Sequence, residues 1–159
     1  MPHHYIIAGD EIAPYLVVMN SHDENVMLRV HEAEETLGLA EKYMGELGRG
    51  IDELSQIRLA DRKVMEFMQE IFPVGNDVPE GQRKNNLRLL DDLKMRYWDA
   101  PDLSNMGKNG YRFVNAVSDF ATHADPIRRT KNYDENLFMR TIEGNPMIDK
   151  AYKLVLAAA

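Results

Sequence analysis

Cysteine is absent from all 159 residues, which excludes disulfides, thiolate catalysis and cysteine-ligated zinc or iron–sulfur sites. The lack is compatible with a reducing compartment. No apolar run approaches the roughly 20 residues that a membrane-spanning helix needs. The opening Met1-Pro-His-His-Tyr-Ile-Ile7 has neither the basic region nor the apolar stretch of a secretory signal. The expectation is a protein of the cytoplasm with no membrane partner. Positive charge is also in short supply: the formal net charge is −7, which weighs against a uniformly basic nucleic-acid binder, because phosphate-backbone affinity comes largely from lysine and arginine displacing counterions. There is no Ser-His-Asp ordering, nucleotide fingerprint or phosphate loop, and Gly107-Lys-Asn-Gly110 is too short for the last of these. Internal repeats and low-complexity tracts are missing too.

What is present is the composition of an ordinary globular protein, 44% hydrophobic and 28% charged, at a length that suits one domain over residues 1–159. Charge is unevenly spread. Residues 1–80 hold 16 acidic and 6 basic side chains, net −10, and residues 81–159 hold 10 acidic and 13 basic, net +3. Within the first 30 residues, Tyr15–Asn20 and Val26–Val30 are short, apolar and β-branched, separated by the turn-like Ser21-His-Asp-Glu-Asn25. That pattern predicts a β-hairpin, to which Tyr5–Ala8 adds a third strand. An isolated hairpin is marginal in water, so the ribbon has to lean on helices or on a second copy of the chain. Pairing of equivalent edges across a two-fold axis predicts a homodimer.

From His31 onward the periodicity is helical. Ala33, Leu37, Ala40, Met44 and Leu47 predict a helix that ends at Gly48 and Gly50, with Glu32, Glu34 and Glu35 in its first turn. A second helix starts at Asp61 and stops near Pro73. A third runs from Gln82 to Trp98 and buries Leu87, Leu90, Leu93 and Tyr97. A loop follows over residues 99–107, then a fourth helix over Gly110–His123, and two shorter ones at Glu135–Ile142 and Pro146–Leu156. The predicted fold class is α+β, mainly α-helical: a β-rich segment at 1–30, forming a hairpin or small antiparallel sheet, packed on five or six helices in the body at 31–159.

Gly110–His123 is the most informative stretch. Phe113, Ala116, Val117, Phe120 and Ala124 form one apolar face, and Arg112, Asn115, Asp119 and Thr122 fall on the opposite one. Gly110, Tyr111, Asn115, Ala116, Val117, Ser118, Asp119, Phe120 and His123 supply, in that order, a glycine, an aromatic, Asn-Ala-Val, a hydroxyl residue, an acid, an aromatic and a histidine. This order resembles the C-terminal helix of a phage/plasmid-like family catalogued as domain of unknown function 932. Pro14–Asp23 followed by Leu28-Arg-Val30, then Ala33–Ala40 and Ile71-Phe-Pro73, recur in the order of that family. Against its pattern, a region before Gly9-Asp10 and a stretch between Val30 and His31 are missing, so the resemblance implies a shortened member. It further implies residence on a phage, prophage or plasmid, with an analogy to single-strand annealing proteins that does not fix function.

Candidate sites follow from residue type and spacing. Arg112, Asn115, Asp119 and His123 form a polar line on the fourth helix, read either as a partner-binding surface or as an architectural hydrogen-bond face. Arg83, Lys84, Arg88 and Trp98 on the third helix, with Arg128, Arg129 and Lys131, interleave cations with aromatics in the manner of single-strand binding proteins, although Asp91 and Asp92 interrupt them. His31 and Glu35 have metal-ligand spacing but no second histidine beside them. His3 and His4 sit at the terminus, and His22-Asp23 belongs to the hairpin turn. No catalytic residue, metal or cofactor is assigned. The leading expectation is a non-enzymatic accessory or inhibitor protein of a mobile element that binds a host or phage protein, of the anti-defence kind, including the anti-CRISPR kind. The alternative is a single-stranded nucleic-acid binding protein linked to phage recombination.

Overall fold

Apolar side chains recurring every three or four residues drive the second half of the chain into helices that cover one another. In a computed structural model, residues 5–7, 10–12, 49–129 and 131–159 are described. They fall into two compact units, Met1–Glu53 and Leu54–Ala159. The first contains two three-residue strands, β1 (Tyr5–Ile7) and β2 (Asp10–Ile12), antiparallel with Ile6 opposite Glu11. Residues 49–56 are helical and form α1. Gly50 lies inside that helix and does not end one, a correction to the sequence expectation.

Within Leu54–Ala159 the elements are α2 (Asp61–Ile71), α3 (Glu80–Trp98), a 3-10 helix (Pro101–Met106), α4 (Gly110–His123), a single turn α5 (Asp125–Arg128), α6 (Tyr133–Glu143) and α7 (Pro146–Ala157). The expected α+β class is therefore corrected: the described residues are overwhelmingly helical. Helices pack on helices throughout this unit, and its described residues pair in β fashion only at one isolated bridge, Arg58 to Asn109. A three-residue ribbon has too little apolar face to make a sheet layer, and the hairpin expected at Tyr15–Val30 lies outside the described residues, as does the helix expected over 31–48.

Local chemistry explains the boundaries of α2, α4 and α7. Asp61 complements the dipole at the start of α2, and the Phe72 N–H closes its last turn on Met68 O just before Pro73. Asn109 caps α4, its side chain accepting from the Arg112 N–H at 2.9 Å, and Asn145 caps α7 by accepting from the Met147 N–H at 3.0 Å. Pro146 occupies the first turn of α7, where a missing N–H costs nothing.

The core sits around α4. Val64, Phe67 and Met68 from α2, Leu90, Leu93 and Tyr97 from α3, and Ala151 and Val155 from α7 are buried with Phe113, Ala116, Val117 and Phe120. Tilted aromatic pairs run through it: Phe67 with Phe113 at 5.5 Å, Tyr97 with Phe113 at 6.4 Å, and Phe72 with Phe120 at 5.2 Å. Contrary to expectation Leu87 is 46% exposed. Its inward place on α3 is taken by Asn86, whose amide donates to Pro73 O at 2.7 Å and ties down the α2–α3 connection.

Candidate functional site

The first turn of α4 is enclosed on every side: Gly110, Tyr111, Arg112 and Phe113 are all buried. The helix periodicity that separates polar from apolar faces further along therefore has no meaning there. Arg112, expected on the polar face, is 8% exposed. Its Nε and Nη2 both donate to Tyr97 O, at 2.9 and 2.7 Å, and the guanidinium lies 5.0 Å from the Tyr97 ring centroid. One side chain thus satisfies a carbonyl that α3 leaves open near its C-terminal end. Tyr97 itself is fully buried, its hydroxyl has no partner among the described residues, and burial pushes its phenol pKa up.

The rest of the line is half-buried at Asn115 and Asp119 and exposed at His123. Asn115 turns back to donate to Tyr111 O at 2.9 Å. Asp119 joins α4 to α3: Arg96 Nη1 reaches its Oδ2 at 2.5 Å, while Arg96 Nε donates to Asp92 Oδ1 at 2.8 Å. His123 Nδ1 lies 2.9 Å from the other oxygen of Asp119. The result is a continuous chain Asp92–Arg96–Asp119–His123 along the α3–α4 seam. Burial opposes the charge of Arg96, but the hydrogen bonds it donates to Asp119 and Asp92 outweigh it and raise its pKa. The structure thus brings Asp119 and His123 together, places Asn115 on the same helix, and removes Arg112 from the surface.

The two basic clusters stand differently. On α3, Lys84 pairs with Glu80 at 3.0 Å and Lys94 with Asp91 at 3.2 Å. Trp98 donates to Asp61 at 3.4 Å and packs edge-on against Tyr97 at 4.9 Å, so its indole is committed to the fold. Arg129 pairs with Asp125 at 3.2 Å and does not meet the polar line of α4. Among the described residues Arg83, Arg88 and Lys131 have no ion pair, and the Arg128 side chain lies outside them. His3, His4, His22, Asp23, His31 and Glu35 are likewise outside the described residues. Among those described, no group of three or more histidines or carboxylates converges on a metal position, and no helix is long and apolar enough to cross a membrane.

Sequence reasoning missed the partners of the polar line. Arg96 is 23 residues from Asp119, a separation that carries no periodic signal. The i, i+4 step from Asp92 to Arg96 was the available clue. Also missed is Asp61, which accepts from Lys108 at 2.8 Å as well as from Trp98. The Lys108 hydrogen bond is the main cause of its lowered carboxyl pKa.

These features define a mainly helical protein in which the Arg96–Asp119 ion pair joins α3 to α4. Residues 22–141 match the family described as Domain of unknown function (DUF932), and the chain belongs to that family. No curated protein and no solved structure matches it. The matched stretch ends inside α6, so α7, which supplies Ala151 and Val155 to the core, lies beyond it.

Proposed function

We propose that this protein acts in the host cytoplasm by binding another protein, as an accessory or inhibitor factor of a mobile element, and not by transforming a substrate. The observation that carries the reading is the outer face of α3. Leu87 and Met95, two turns apart, are 46% and 58% exposed, with Arg88 and Asp91 between them. Exposed apolar anchors within a polar surround suit a helix laid into an apolar groove of a partner, and methionine adapts to such surfaces. The polar line at Asn115, Asp119 and His123 lies on α4, which Asp119 joins to α3 through Arg96. An anti-defence role, including the anti-CRISPR kind, is consistent with the acidic net charge of −7.

Single-strand nucleic-acid binding is the weaker reading. Lys84, Lys94, Arg96 and Arg129 all face intramolecular carboxylates, so phosphate would first have to displace them. The test is capture of partners from host cells by tagged wild type and by the double variant Leu87→Asp/Met95→Asp. A protein retained by the wild type and lost from an equally stable variant supports the proposal. Binding of labelled single strands that falls steeply with salt and disappears in Arg88→Ala overturns it in favour of nucleic acid.

A further inference from the structure

We propose that a second site, independent of the α3 face, binds a small carboxylate bearing one ring-sized apolar group. Helices α3 to α7 and the end of α2 contribute to a cleft whose walls are Phe72, Leu89, Phe120, Ile127 and Met147, with a volume of about 170 Å³. That volume decides the size of the ligand. An enclosed cavity of about 150 Å³ with comparable lining holds benzene, and this cleft has a similar volume but is open on one side, whereas sites for drug-sized molecules run to roughly 300–1,000 Å³. The cleft therefore fits one phenyl ring or a branched chain of similar bulk.

Its rim decides the charge. Asn136 and Arg140 are one turn apart on α6 and both border the cleft. Among the described residues, neither side chain has a hydrogen-bond or ion-pair partner and no carboxylate lines the cleft. An unneutralised guanidinium beside an amide N–H presents planar donors matched to a carboxylate. Apolar walls with a few convergent polar groups at one edge are the ordinary construction of a small-ligand site.

The experiment titrates the full chain with phenylacetate while the methyl resonances of Leu89, Ile127 and Met147 are followed by NMR. Phenylacetamide serves as the neutral isostere and acetate as the headgroup without a ring. Saturable shifts at those methyls with phenylacetate are expected, with affinity about tenfold weaker for phenylacetamide and for Arg140→Gln, the size of one charge-assisted hydrogen bond. Acetate should move nothing. Arg140 is exposed, and an unchanged unfolding midpoint verifies that its variant folds. The proposal is overturned if phenylacetate produces no saturable shift, if the shifts fall on methyls elsewhere, or if wild type and Arg140→Gln bind it equally.

Discussion

Gly110 is where a single hydrogen atom decides the packing of two helices. A Cβ there would collide with Val155 Cγ1 and stand 3.0 Å from Leu54 O. Alanine is the better helix former by about 1 kcal/mol in a helix interior, but less at this first position. Overpacking costs about 1–3 kcal/mol, so the steric cost wins. Gly110→Ala should lower stability by about 1–2 kcal/mol in urea unfolding, and Gly110→Ala/Val155→Ala should lose less than the sum of the single changes. Additive losses would show that the two positions do not meet. Two neighbouring residues make an opposite pair. Arg112→Met leaves the Tyr97 carbonyl without its buried donors and should cost about 2 kcal/mol. Tyr97→Phe removes a buried hydroxyl that has no partner, and should be neutral or stabilising. A loss above about 1 kcal/mol for Tyr97→Phe would instead imply that the hydroxyl is satisfied in solution.

At the scale of elements, what was legible in the sequence followed periodicity and capping. The bounds of α2 and α4 could be read because Asp61, Pro73, Asn109 and the spacing of Phe113, Ala116, Val117 and Phe120 all point the same way. The facing of α3 could not. Leucines at 87, 90 and 93 suggest that all three turn inward, yet the amide of Asn86 outcompetes Leu87 for the interior by satisfying Pro73 O. Arg112 was misread for a related reason: polarity predicts exposure only where a helix has a wet side, and the start of α4 has none. The joining of α3 to α4 through Arg96 and Asp119 is a tertiary fact with no local trace. Capping gives a prediction at this scale. Asn109 both accepts from the Arg112 N–H and donates to Met106 O, linking the 3-10 helix to α4. Asn109→Ala should cost about 1–2 kcal/mol, toward the upper end for a cap. Asn109→Asp, which keeps the acceptor, should restore part of that loss in the same unfolding measurement.

For the molecule as a whole, charge is the property most open to test, because 26 acidic side chains outnumber 19 basic ones and several of the acids hold elements together. Asp61 is the sharpest case. It accepts from Lys108, which precedes α4, and from Trp98 at the end of α3, while itself starting α2. Its pKa is lowered from 3.8, chiefly by the Lys108 hydrogen bond. A folded-state pKa below the unfolded value means that the ionised group stabilises the fold at every pH above about 3.8, and that this contribution disappears as pH falls through the folded value. Acid also relieves repulsion across the net-negative chain, so the wild-type profile alone is ambiguous. The difference between wild type and Asp61→Asn isolates the term. That difference in urea midpoint should be constant from about pH 5 to 7 and should narrow below about pH 4. In Lys108→Met the Asp61→Asn difference should be reduced at neutral pH, since the main source of the lowered pKa is already gone. A gap between wild type and Asp61→Asn that stays the same in acid and at neutral pH would show that Asp61 acts by shape and not by charge. The charge of Asp61 would then contribute nothing to the α2–α3–α4 junction.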